Sequence, residues 1–223
     1  MSAPRDCAVG GGTVSKKGKK GEKTGSGRKP GSRLGEGMVF LKRFFRAPRQ
    51  VGSVAPSSRF LTRAMLDCVD WENALSVAEL GAGTGVFTRE VVKRARPDAK
   101  VLVFEVDPAL QAMIRREHPG LKLYGDAQAL LSIMKDEGIE KLDFVISSLP
   151  FTVLPREVGT NILNAVQDAL RPDGRFVAYQ YSNIMRPMLN ARFSQVRRKF
   201  VPLNVPPAFV FDCSGDRRTA QTA

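Results

Sequence analysis

Glu79-Leu80-Gly81-Ala82-Gly83-Thr84-Gly85 is the stretch on which the fold turns. It closes the apolar run Leu75–Leu80 and precedes a helical pattern that starts at about Val86. Three alternate glycines between a strand and a helix permit a tight turn and a close backbone approach, and the helix start exposes amide donors. Such a loop occurs in several nucleotide-binding folds, so its surroundings must identify it.

Outward from the loop, strand and helix patterns alternate. Helices are expected over Arg59–Asp70, Thr88–Arg94, Pro108–Glu117, Ala127–Asp136 and Arg156–Leu170. Apolar strand runs fall at Leu75–Leu80, Val101–Glu105, Leu121–Tyr124, Leu142–Ser147 and Arg175–Tyr181. A βαβα series with apolar strands predicts an α/β fold: a doubly wound, mostly parallel Rossmann-like sheet with helices on both faces. Ligands then bind outside the carboxyl ends of the strands.

The candidate site residues fall at those ends. Glu105 lies 20 residues beyond Gly85, where a carboxylate accepts hydrogen bonds from two ribose hydroxyls. Asp126, followed by Ala127, ends the third strand within reach of an adenine amino group. The loop reads E-x-G-x-G-x-G and lacks the G-x-G-x-x-G spacing that suits a pyrophosphate. An adenosine ligand with a cationic amino-acid tail needs an acceptor such as Glu79 more than a phosphate cradle. Over residues 75–181 the sequence resembles class I S-adenosylmethionine-dependent methyltransferases. The resemblance implies the class I methyltransferase fold, S-adenosylmethionine as cofactor, and Glu79, Gly81, Gly83, Gly85, Glu105, Asp126 and Ala127 as its binding residues.

The fourth strand end, Ser147-Ser148-Leu149-Pro150-Phe151, is where that fold places the acceptor. It resembles the Asn-Leu-Pro-Phe motif of ribosomal RNA adenine dimethylases, with Ser148 at the asparagine position. It also resembles the Ser-Gly-Leu-Pro motif of bacterial phospholipid N-methyltransferases, matched at Ser147, Leu149 and Pro150. The second resemblance extends over about residues 38–212. It includes Pro48-Arg49-Gln50-Val51-Gly52-Ser53 through Pro56-Ser57-Ser58-Arg59, and Asn204-Val205-Pro206-Pro207-Ala208-Phe209-Val210. It implies N-methylation of a phospholipid head-group amine, of the phosphatidylethanolamine type, by a cytoplasmic enzyme peripheral at the inner face of the membrane. The alternative is adenine N6 methylation of ribosomal RNA. Ser147, Tyr179 and Tyr181 are the candidate catalytic groups, with Gln180 and Ser148 also polar near the strand ends. These residues alone do not choose a base or proton relay. Ser148, Leu149, Pro150, Phe151 and Arg59 are the candidate substrate contacts: Phe151 and a tyrosine for a methylated ammonium by cation–π attraction, Arg59 for a lipid phosphate.

Charge points to an anionic partner. The chain of 223 residues carries Lys+Arg 35 against Asp+Glu 22, a formal net charge of +13. Almost all of the excess lies before residue 64. Residues 1–37 are rich in Gly, Lys and Ser and nearly devoid of apolar side chains, so a disordered basic tail is expected. A single domain is expected over 38–223, opening with an amphipathic basic helix at about 38–49. Met38, Leu41, Phe44 and Phe45 share one face of that helix, and Lys42, Arg46 and Arg49 another. An anionic membrane surface or phospholipid is the expected partner, with RNA second. No stretch approaches the roughly 18 apolar residues of a spanning helix. Three scattered cysteines and the single His118 suggest neither a disulfide framework nor a metal site.

Overall fold

The computed structural model describes residues 59–220. The tail 1–37, the helix expected over 38–49 and the Val51–Ser58 motif lie outside the described residues. Helix α1 (Arg59–Leu66) leads into β1 (Ser76–Leu80), α2 (Val86–Arg94), β2 (Lys100–Phe104), α3 (Pro108–Glu117) and β3 (Lys122–Tyr124). A 3₁₀ turn (Ala127–Ala129) then runs into α4 (Leu130–Asp136), β4 (Leu142–Ser147), α5 (Arg156–Ala169) and β5 (Leu170–Gln180). The short α6 (Arg186–Asn190), β6 (Phe193–Val201), β7 (Ala208–Asp216) and α7 (Arg217–Ala220) follow.

The seven strands form one sheet in the order β3-β2-β1-β4-β5-β7-β6. Strands β1 to β5 pair in parallel, and β7 runs antiparallel between β5 and β6. The carboxyl ends of β1, β2, β3, β4, β5 and β6 therefore share one edge. Helices α1 and α2 cover one face through Leu61, Met65, Leu66, Phe87 and Val91. Helices α4 and α5 cover the other through Leu130, Met134, Ile162, Leu163 and Val166. Local signals set the boundaries. Asp107 caps α3 by accepting from the Ala109 amide at 2.8 Å, and Pro108 opens it with a pre-set φ.

The last two strands lie beyond Arg175–Tyr181, the last strand run read from the sequence. In β6 every residue from Arg197 to Phe200 is exposed. An edge strand lacks a neighbour on one side, and this one carries Arg197, Arg198 and Lys199 in sequence, so no apolar run marks it.

Asp143 ties the two central strands together at the far edge from the site. Its Oδ2 accepts from the Leu75 amide at 2.8 Å, the Ser76 amide at 2.8 Å and the Ser76 hydroxyl at 2.9 Å, and its Oδ1 pairs with Arg171. Replacing it leaves buried donors without an acceptor. Asp143→Ala is expected to lower stability by about 3 kcal/mol, and Asp143→Asn by less because one oxygen remains. Urea denaturation checks this, and an unchanged midpoint for the alanine variant rejects the clamp.

Candidate active site

The sheet order changes direction between β1 and β4, and the connections after them leave toward opposite faces. The crevice between these strand ends is the natural ligand site of such a sheet. Gly81, Gly83 and Gly85 have φ of 80°, 57° and 76°, a region that L side chains rarely adopt. The loop's amides are already engaged. Those of Gly81 and Ala82 donate to the Phe104 carbonyl at 2.8 and 3.0 Å, and that of Gly85 to the Ala82 carbonyl at 2.9 Å. The Gly83 amide donates to Glu105 Oε2 at 2.7 Å. Four of the loop's amides, those of Gly81, Ala82, Gly83 and Gly85, are thus turned inward and are not offered to a phosphate.

Carboxylates surround it instead. Glu79 is fully buried, and neither of its oxygens has a hydrogen-bond partner. Burial pushes its pKa up to about 7 and the Glu105 charge adds to this. The nearby Thr88 hydroxyl and amide pull the other way, although neither reaches hydrogen-bond geometry. Glu105 is also buried. Its Oε1 accepts from the Asp107 amide at 2.8 Å, so the side chain pins both the glycine loop and the start of α3. Burial raises its pKa, and these backbone amides oppose the rise. Each oxygen retains a further acceptor position for a ligand hydroxyl. Asp126 caps the 3₁₀ turn through the Gln128 amide at 2.9 Å, beside the buried Ala127. Among the described residues no Lys or Arg forms an ion pair with Glu79, Glu105, Asp107 or Asp126. The strand ends thus favour a cationic ligand. No group of three or more His, Cys, Asp or Glu side chains among the described residues has the arrangement to hold a metal ion.

The loop after β4 completes the crevice. Ser147 is buried and its hydroxyl accepts from the Leu149 amide at 3.2 Å, which caps the turn. The Ser148 amide donates to the Leu80 carbonyl at 2.9 Å, while the Ser148 hydroxyl oxygen is buried without a partner. The Leu149 carbonyl accepts twice, from the Phe151 amide at 3.0 Å and from the Gln180 side-chain amide at 2.8 Å. Pro150 opens the next turn by accepting from Val153 and Leu154. Phe151 is a core residue: its ring is buried and packs edge-on against Phe176 at 6.4 Å between centroids, away from any solvent-borne cation. Tyr179 and Tyr181 do meet, edge to face at 5.7 Å, and Phe87 lies 5.9 Å from Tyr179. Burial raises the Tyr181 pKa and a hydrogen bond with Tyr179 opposes it. Arg59 opens α1 on the surface, its guanidinium 5.0 Å from the Phe60 ring centroid. His118 lies before β3, at the opposite edge of the sheet.

Sequence reasoning left Gln180 as one polar group among several and missed Thr88. The Asp107-Pro108 pair carried a legible helix-start signal. Nothing along the chain marked Gln180, because its partner is a backbone carbonyl 31 residues away.

Residues 56–200 match the family model described as methyltransferase small domain. The chain is 35% identical over 187 residues to the ornithine lipid N-methyltransferase of Singulisphaera acidiphila, covering 80% of this chain and 95% of that one. The solved N-methyltransferase NodS of Bradyrhizobium japonicum WM9 aligns with a TM-score of 0.58 at 13% identity, over 80% of this chain and 98% of that one. TrmN from Thermus thermophilus aligns with a TM-score of 0.57 at 17% identity over 78% of this chain, which spans only 52% of TrmN. At these identities both structures speak for the fold alone.

The buried Glu79 carboxyl makes apo stability depend on pH. A raised acid contributes stability below its unfolded pKa, about 4.5, and that contribution is lost as pH rises through about 7. Glu79→Gln keeps the shape and removes the charge. The variant is expected to match wild type near pH 4 and to exceed it by about 3 kcal/mol near pH 8. Parallel urea titrations at the two pH values measure the difference; equal stabilities at the higher pH contradict it.

Proposed function

The chain belongs to the methyltransferase small-domain family, and on that premise we propose that it transfers a methyl group from S-adenosylmethionine to the amine of a membrane-lipid head group. The curated relative that supports this acts, by its name, on ornithine lipid. Phosphatidylethanolamine, the acceptor implied by the sequence motifs, offers the same primary-amine chemistry. Bound S-adenosylmethionine supplies an electrophilic methyl on a cationic sulfonium. The residues present fit it: Glu79 is an orphaned buried carboxylate below the glycine loop, and Glu105 and Asp126 retain acceptor capacity.

The chain's own contribution is placement. A nucleophilic amine and a methyl carbon must meet in line at about 3 Å, and holding that geometry supplies much of the rate. The observation that carries the reading is the pairing of the two loops. Leu149 packs so closely on Gly81 that a Cβ there would lie 2.8 Å from Leu149 Cδ2. The Ser148 hydroxyl oxygen, unpartnered and at this junction, is the acceptor for an amine N–H. Gln180 is a positioning residue that fixes the Leu149 carbonyl and with it the loop. Tyr181 offers a partly exposed ring to a methylated ammonium. An adenine amine fits less well. Ser148 is shorter than asparagine, and the Leu149 carbonyl already accepts two hydrogen bonds.

Tritiated methyl transfer from S-adenosylmethionine tests the acceptor. Mixed micelles of ornithine lipid, micelles of phosphatidylethanolamine and unmodified small-subunit RNA are assayed side by side. Label is expected in an aminolipid, and label confined to RNA would sink the proposal. Gln180→Leu is expected to lower kcat about ten- to hundredfold through the loss of one buried hydrogen bond, with S-adenosylmethionine affinity nearly unchanged. A parallel loss of cofactor affinity would assign Gln180 to the fold instead.

A further inference from the structure

Two neighbouring connections at the site's edge of the sheet expose large apolar side chains. Ile184, between β5 and α6, is 73% exposed, and Tyr181 beside it is half-exposed. Leu203 and Val205, in the turn between β6 and β7, are 62% and 68% exposed, and Phe200 before them 51%. The connections adjoin because β7 alone separates β5 from β6. Water-facing aliphatic residues concentrated beside an active-site mouth mark a surface that meets something apolar.

Cations flank these residues. Arg197, Arg198 and Lys199 lead up β6 into the Leu203 turn. On the α1 side, Arg63, Arg197 and Lys199 line a cleft of about 270 Å³ together with Asp67 and Asp212. Both acids are committed elsewhere, Asp67 to Arg94 and Asp212 to Arg175. The three cations have no ion pair among the described residues. Edge-strand charges protect against strand pairing, but that role leaves the exposed Leu203, Val205 and Ile184 without a reason.

We propose that the β6–β7 turn and the β5–α6 connection form a docking surface for an anionic bilayer, with Ile184, Leu203 and Val205 inserted and the β6 cations at the phosphate level. Other occupants match less of the surface. The chain's own 38–49 segment offers Met38, Leu41, Phe44 and Phe45 to the aliphatic residues, but its Lys42, Arg43, Arg46 and Arg49 leave the β6 cations without a counter-charge. A second copy of a chain with net charge +13 does the same. RNA complements the cations but gains little from aliphatic side chains, which give its bases no stacking platform. A bilayer with acidic head groups satisfies both. Docking here would hold the crevice between β1 and β4 at the head-group layer, where a lipid amine enters without leaving the membrane. The inference rests on the lipid-acceptor reading above for its purpose, not for its geometry.

The test compares the full chain with the double variant Ile184→Glu/Leu203→Glu. Both positions are exposed, so the fold tolerates the change, and S-adenosylmethionine binding serves as the control. Sedimentation with vesicles of equal parts phosphatidylglycerol and phosphatidylcholine should show at least about tenfold weaker partitioning for the variant. Wild-type binding should also fall as salt rises, and should fall in Arg197→Glu/Lys199→Glu at low salt. Methyl transfer to aminolipid in detergent micelles should match wild type in the Ile184→Glu/Leu203→Glu protein. Equal vesicle binding by wild type and that variant overturns the docking surface. Absence of label in micellar lipid with wild type overturns the acceptor assignment and leaves the vesicle result standing, so the two readings fail separately.

Discussion

The contact between Leu149 and Gly81 is the constraint on which the site depends. A Cβ at position 81 would lie 2.8 Å from the Leu149 Cδ2 methyl and 3.5 Å from the Leu149 amide nitrogen, and the φ of 80° favours glycine there as well. The backbone reinforces the approach, with the Ser148 amide donating to the Leu80 carbonyl. The loops after β1 and β4 leave adjacent strands toward opposite faces, and this contact with the Ser148 hydrogen bond fixes one against the other. Asp143 fixes the other ends of the same two strands, so the register that aligns the loops is held at both edges of the sheet.

Electrostatics divides the molecule into two functions. The chain is strongly basic, yet the crevice at the ends of β1, β2 and β3 is acidic and without counter-ions among the described residues. Burying Glu79 with neither oxygen bonded is unfavourable in the absence of a ligand, and a cation seated on the glycine loop relieves it. The acidic crevice suits a cationic cofactor, and the net charge of +13, most of it before residue 64, suits an anionic partner.

Much of this was legible along the chain. The strand–helix alternation predicted the parallel part of the sheet because buried parallel strands read as continuous apolar runs, and Leu142–Ser147 was placed with its observed bounds. The glycine loop, Glu105 and Asp126 were found because their spacing is set by a local strand–turn–helix unit. Residues whose roles come from tertiary contacts were not legible. Phe151 read as a candidate ligand for a cation, but the turn after Pro150 directs it onto Phe176. Ser147 read as a candidate catalytic group; its hydroxyl oxygen accepts from the Leu149 amide, while the hydroxyl oxygen of its neighbour Ser148 is buried without a partner. Which of two adjacent serines is engaged by the turn depends on the turn's dihedrals, which the sequence does not display.

Strand β7 carries the apolar run Ala208–Phe211 that could have marked it, while β6 was illegible for a different physical reason. A strand's pattern records what its two faces touch, and the outer part of β6 touches little. Its cations were counted in the overall charge but not located. Placed in the sheet, they line both faces of the edge strand and lead to an apolar turn on the same sheet edge as the β4 loop. The antiparallel pair therefore does more than widen the sheet. It carries the fold's edge up to the mouth of the crevice, and only there can one strand present charge and aliphatic surface together. An enzyme whose acceptor is anchored in a membrane needs its active site at that boundary, and the topology places β5, which supplies Gln180, next to the pair that would meet the bilayer.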